Sequence, residues 1–261
     1  MRTADDRERS EAKLVGPGLG GGSGPTVLLC AATAFEARLL GQSVGCAPGR
    51  RQEAHPGPRI VLIQVGVGVA RPPALPPPGV PSSVTALLSV GLCGGLAPAA
   101  APGTVVVATA VQDADGGKSP CHAGWVALAG RAAAEAGIPV LGGPLLWSPR
   151  LLLGVEEKRA AAATGAVAVD MESGPLSRLA AGRGLLFAAV RVVLDGPEDR
   201  LPRSLPGLIG PGGDMGSGRF LALLLRRPIL AVSLLALAGR GRRALGALGR
   251  VLASMLAEPQ G

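Results

Sequence analysis

The sequence predicts an α/β protein built on a mostly parallel central sheet, and three observations carry this. Short apolar runs of Val, Leu, Ile and Ala recur from residue 25 onward. Runs of this kind bounded by Gly and Pro mark strands buried on both faces. Segments of helical composition stand between the runs, and glycine recurs where the runs end, the place where parallel sheets bind ligands. Finally, 261 residues with 48% hydrophobic and 17% charged side chains describe a folded core and exclude a disordered chain.

Taken in order, residues 1–24 are charged and then Gly-rich, with no hydrophobic period. They predict a disordered extension and lack the apolar stretch of a signal peptide. Gly16-Pro-Gly18-Leu-Gly20-Gly21 matches G-x-G-x-x-G, but a phosphate loop follows a strand and this one precedes the first, so it reads as a linker. Thr26–Ala32 is the first strand, and Phe35–Leu40 starts a helix. Arg59–Val65 is the second strand, ending in Gly66-Val-Gly68. Thr85–Val90 is the third, feeding a glycine loop, Gly91–Gly95. Gly103–Ala108, Ile138–Leu146, Ala166–Val169 and Leu185–Val193 continue the series, with helical composition at Glu156–Ala163 and Gly174–Ala181. Between Arg71 and Pro81 six prolines stand where a crossover helix is expected, and they forbid one.

Composition narrows the chemistry. Aromatic residues make up 2% with no Tyr, so the core is built from Ala, Val and Leu. The basic residues are arginines except for Lys13, Lys118 and Lys158. The four cysteines (30, 46, 93 and 121) form no C-x-x-C pair, and His55 and His122 are the only histidines. This inventory speaks against a structural zinc site and against His-dependent nucleophilic triads. No metal and no cofactor are expected, and the cysteines read as apolar residues of a reduced, cytoplasmic protein. Net charge is +8, of which +6 falls from Gly216 onward and +2 on the rest. A near-neutral body with a basic tail speaks against a nucleic-acid partner. The tail segment Phe220–Ala238 is apolar but interrupted by Arg226-Arg227-Pro228, too short on either side for a span of about 20 residues. It predicts either a helix packed on the sheet or one lying in an anionic membrane surface.

Three segments together resemble the purine nucleoside phosphorylase and methylthioadenosine nucleosidase superfamily, over about residues 25–205. They are Ala34-Phe-Glu36-Ala-Arg-Leu-Leu, then Val90–Pro98 with Gly103-Thr-Val-Val-Val, then Thr164–Ser173 with its V-D-M-E-S element and Arg191-Val-Val-Leu-Asp195. The F-E-A-R start, the wording of the third segment and the Arg-rich tail are similar to the hopanoid-associated phosphorylases, proposed to act on adenosylhopane. The resemblance implies a three-layer αβα fold with a mostly parallel mixed sheet. It divides the chain into an extension (1–24), a catalytic domain (25–205) and a basic, apolar helical tail (206–261).

Cleaving an N-ribosidic bond builds cationic character on the sugar and negative charge on the departing purine, so the site needs an acid, a ribose grip and a nucleophile. The resemblance assigns the acid to Asp195, donating toward purine N7; the bland reading is a turn Asp in D-G-P. It assigns the ribose hydroxyls to Glu172, with Met171 packing on the sugar and Asp170 beside them; the bland reading is an acid at a helix start. Glu36 matches the water-activating position, with the same bland alternative. Cys93 and Gly94 of the glycine loop and Trp147 complete the expected pocket, Trp147 as a base-stacking ring. The loop lacks a preceding arginine and carries Leu92 where a phosphate-binding Ser would sit, which favours water over phosphate, with Arg38 and Arg71 left open as anion ligands. The resemblance also implies a homo-oligomer, and a lipid-linked nucleoside would make peripheral attachment at the inner membrane face useful. Two alternatives stay open: an inactive nucleoside-binding scaffold and a phosphate-dependent phosphorylase.

Overall fold

The computed structural model describes residues 25–46, 59–69, 84–208 and 228–257. The N-terminal extension, His55, Arg71, the proline-rich 71–81 segment and residues 209–227 of the tail lie outside the described residues.

Among the described residues eight strands form one mixed sheet: β1 (Thr26–Ala31), β2 (Arg59–Gln64), β3 (Val84–Gly95), β4 (Val105–Gln112), β5 (Lys118–Pro120), β6 (Val140–Trp147), β7 (Ala168–Asp170) and β8 (Leu186–Asp195). β2, β1, β3 and β8 run parallel in that order. β8 then meets β4 antiparallel, β4 pairs parallel with β6, and β6 with β7. β7 returns to β3 through Gly94 and Gly95, antiparallel. Strands β3, β8, β4, β6 and β7 therefore close a ring, from which β1 and β2 extend on one side. The expected α/β class with a mostly parallel mixed sheet is what the chain adopts.

Alternation along β1 shows the layering. Val27, Leu29 and Ala31 enter one core, while Leu28 and Cys30 enter the other, as period-two side chains must. The first core is covered by α1 (Ala34–Ser43), α2 (Ala123–Glu135) and α6 (Pro228–Ala257), and the second by α4 (Ser173–Ala181). Helix α3 (Val155–Ala162) and the short α5 (Leu205–Leu208) are the other α-helices among the described residues.

Two features depart from the sequence reading. Helix α2 falls where no element was expected, because its buried stripe is mostly alanine (Ala129, Ala132, Ala133) around Trp125 and Leu128, a weak apolar period. The glycine segment 91–95 is a continuation of β3 and pairs with both β7 and β8. In the tail, α6 packs on the body, one of the two forms expected of it. Leu245, Leu248, Leu252 and Met255 of α6 are fully buried in the same core as α1 and α2, while Arg242, Arg243 and Arg250 face out. A Cβ at Gly249 would fall 2.2 Å from Ser43 Oγ, so the bare glycine is what lets α6 lie against α1. Among the described residues no helix is long and apolar enough to cross a membrane.

Candidate active site

The ends of β1, β3, β7 and β8 bring Glu36, Asp170, Glu172 and Asp195 to one edge of the sheet. Glu36 arrives through helix capping. Thr33 caps α1, its Oγ1 accepting from the Glu36 N–H at 3.2 Å, while Glu36 Oε2 accepts from the Thr33 N–H (2.8 Å) and hydroxyl (2.9 Å). This reciprocal box satisfies donors that the first turn leaves orphaned. The other oxygen, Oε1, accepts from the Leu92 N–H at 2.8 Å. Gly91 makes that approach available: its φ is +144°, and a Cβ there would fall 2.6 Å from Glu36 Oε1 and 3.0 Å from Arg191 Nη1. The capping and the catalytic readings of Glu36 thus describe the same carboxylate.

Arg191, on β8, is the hub. Its side chain is 1% exposed and pairs with Asp170 at 2.7 Å and with Glu172 at 3.5 Å. Its Nη2 also donates to the hydroxyls of Ser89 and Ser173. Burial works against its charge, but Asp170, Glu172 and Glu36 outweigh it and hold the guanidinium firmly protonated. Asp170 also accepts from the Ser173 N–H at 3.2 Å and from its hydroxyl, so Asp170 satisfies the start of α4. Glu172, at the N-cap position, makes no capping bond. Its side chain is turned instead to Gly68, whose N–H donates to Oε1 at 3.0 Å. Gly68 has φ +65°, a conformation that favours glycine.

Burial lifts the Glu172 carboxyl to about 7. Arg191 opposes this, Asp170 and Glu36 add to it, and the Gly68 N–H opposes it again. A carboxyl whose pKa rises on folding adds stability that is full below its unfolded value and lost as pH climbs through the folded one. The melting temperature is therefore expected to fall between about pH 5 and pH 8, by a few degrees, and Glu172→Gln to flatten that slope. Thermal melts of both proteins across this range check it; parallel slopes would show that Glu172 is not the group responsible.

Asp195 closes β8. It is buried and forms an ion pair with Lys158 of α3, itself 1% exposed. Burial raises the Asp195 pKa, and Lys158 pulls it back. The turn-forming role goes to another acid: Asp199 Oδ2 accepts from the Gly196 N–H at 2.9 Å.

The remaining expected site residues are placed differently. The Cys93 side chain lies in the second apolar core, where burial pushes its thiol pKa up. Gly94 presents its bare Cα toward Asp195, with a Cβ position 3.6 Å from Oδ2. Met171 is half-buried, and its carbonyl accepts from the Trp147 indole N–H at 2.9 Å. The Trp147 ring packs against Gly174 and lies 4.8 Å from the Arg178 guanidinium carbon. These contacts make it a post under α4, not a free stacking surface. Arg38 is exposed on α1. Arg191, Lys158 and the Gly68 N–H carry no role in the sequence reading. The one local signal for Lys158 is its rarity, one of three lysines in a chain whose other basic residues are arginines. Among the described residues no group of three or more His, Cys, Asp or Glu side chains is arranged to hold a metal.

Solved structures share this architecture. The 5′-methylthioadenosine/S-adenosylhomocysteine nucleosidase of Helicobacter pylori is 14% identical, with a TM-score of 0.64 over 88% of this chain and 97% of that one. The futalosine hydrolase of the same organism is 14% identical, at 0.65 over 88% and 97%. The Neisseria meningitidis nucleosidase, solved with methylthio-immucillin-A, is 17% identical, at 0.63 over 89% and 98%. At these identities the likeness is one of fold. No curated protein sequence matches the chain. The fold is that of enzymes of the nucleosidase class. The family follows from the sequence profile of the phosphorylase superfamily, which matches residues 54–205: the chain belongs to that superfamily.

Proposed function

We propose that the chain hydrolyses the N-ribosidic bond of a 5′-substituted adenosine. The observation that carries the choice of water over phosphate is the Glu36–Leu92 contact. The backbone N–H that an anion would need at the glycine segment is taken by a resident carboxylate at 2.8 Å, and a phosphate beside Glu36 would meet like charge. A carboxylate offers about four acceptor sites. Glu36 uses three, on the Thr33 N–H, the Thr33 hydroxyl and the Leu92 N–H, which leaves one on Oε1 to orient and deprotonate a water. Glu172 receives the ribose hydroxyls, Arg191 keeps the carboxylates in place, and Asp195 protonates the departing purine.

For the 5′ substituent, adenosylhopane is the candidate we favour, with a role in hopanoid formation. Leu201, Leu205 and Leu234 form an apolar cluster with Leu151, Leu153 and Leu237. It is joined to the loop after Asp195 by the Leu201 N–H, which donates to the Leu153 carbonyl at 3.0 Å. Val232 and Leu235 are exposed on α6, which also presents outward arginines. This supports an apolar substituent reached from an anionic bilayer by a peripherally attached enzyme.

The test is adenine release from 5′-methylthioadenosine in solution and from adenosylhopane in anionic vesicles, each with and without phosphate. Free ribose-type product at equal rates in both buffers is expected. Turnover only with phosphate, yielding a ribose 1-phosphate, would replace hydrolysis by phosphorolysis, and no adenine from any substrate would favour a binding scaffold.

A further inference from the structure

The ion pair at the base of the site reaches further than the mechanism above uses. Lys158 is held from its own side: Glu157 Oε2 accepts from the N–H groups of Leu153 (2.9 Å) and Gly154 (3.0 Å), fixing the start of α3. An ammonium has three donors, and Lys158 spends all three, on Asp195 Oδ2, on the Gly196 carbonyl at 2.6 Å and on the Asp199 carbonyl at 2.9 Å. Its direction is therefore fixed, and it binds the acid together with the loop that follows the acid. Among the described residues Asp195 Oδ1 accepts no hydrogen bond, so one carboxylate oxygen is anchored and the other is left to a ligand.

We propose that Lys158 is a positioning residue for Asp195, setting which carboxylate oxygen meets the nucleobase and the pH at which that carboxyl carries its proton. This rests on the reading of Asp195 as the acid on the purine side. The charged and titratable groups facing Asp195 are Lys158 from α3, Asp199 from the following loop, Arg240 from α6 and the Cys93 thiol from β3. Arg240 is paired with Asp199 at 3.0 Å, which leaves Lys158 as the cation dedicated to Asp195. A purine-protonating acid must bind its proton near working pH. Burial alone would keep Asp195 protonated and oppose the ionised state that each donation leaves behind. The ammonium stabilises that ionised state after the proton has gone to N7.

The test is Lys158→Met, which keeps length and apolar volume but removes the charge. By 13C NMR of the carboxyl, assigned through its absence in Asp195→Asn, the Asp195 titration midpoint is expected to rise by about 1–3 pH units. The alkaline limb of the kcat profile for adenine release should move in the same direction, and KM should change little. Lys158→Arg, with the charge kept, should restore the midpoint. If Met is not tolerated, Lys158→Gln gives the same reading, since it is neutral yet retains donors. A folded neutral variant whose Asp195 midpoint and alkaline limb match wild type would reduce Lys158 to a packing role and overturn the proposal. The two arms separate the failures: unchanged adenine release in Asp195→Asn would sink the role of Asp195, while the NMR titration still decides whether Lys158 controls that carboxyl.

Discussion

Asp195→Asn is expected to lower adenine release by about 10²–10⁴-fold. The amide matches the carboxyl in shape and keeps an acceptor for Lys158, but it has no proton of comparable acidity to give the purine. The loss should therefore fall on kcat, with substrate binding largely preserved. The substitution also touches stability. Lys158 is left buried among neutral acceptors with no counter-charge, and breaking a buried pair from one side costs about 3–5 kcal/mol. A cooperative melt at a lower temperature, alongside the collapse of turnover, is the expected pair of results. A folded variant releasing adenine at the wild-type rate would remove Asp195 from the chemistry.

Glu36→Gln should be nearly as severe, for a different reason. Both Glu36 oxygens accept hydrogen bonds, from Thr33 on one side and from Leu92 on the other. A glutamine must turn its NH₂ toward one of these donors, leaving a buried N–H without a partner at a cost of about 1–3 kcal/mol. It also loses the base that takes a proton from water, about 10²–10⁴-fold in rate. Hydrolysis should fall through kcat, in contrast to Glu172→Gln, where weaker bonds to the ribose hydroxyls should raise KM as well. Steady-state kinetics on the two variants separate the roles, and an undiminished kcat in folded Glu36→Gln would place the nucleophile elsewhere.

How much of this was legible in the sequence follows from the range of the interactions. Strands such as Thr26–Ala31 and Arg59–Gln64 stand out because burial on both faces demands an unbroken apolar run, and Gly or Pro bounds each. Glu36 and Glu172 were legible as acids at strand ends. Their partners were not: Leu92 lies 56 residues from Glu36 and Gly68 lies 104 from Glu172, and backbone donors leave no mark on residue identity. Lys158 sits in a segment whose neighbours, Glu156, Glu157 and Arg159, read as a solvated helix face, and only the fold turns it inward. Trp147 was read as a stacking ring because it is an aromatic near the expected pocket mouth, and its contacts under α4 were not legible. Its ring contacts Gly174, which has no side chain to announce it. Leu245, Leu248, Leu252 and Met255 do have helical spacing, but their partners on α1 and α2 are some 120 to 210 residues earlier in the chain.

The ring of strands has a consequence for the chain as it is made. β3 and β4 are neighbours in sequence, yet the sheet sets β8 between them, and β8 is synthesised about 75 residues after β4 ends. Until then β3 and β4 each hold an unsatisfied strand edge, and the second half of the apolar layer under α6 is missing as well. Exposed edges of this kind invite pairing with other chains, and contacts so distant in sequence form slowly. Asp195 and Arg191 both ride on the late strand, so a nascent chain gains the proposed acid and the arginine hub in the same event that closes the ring of strands. Synthesis interrupted before β8 would yield a chain with open strand edges that lacks both Asp195 and Arg191, aggregation-prone and expected to be inactive.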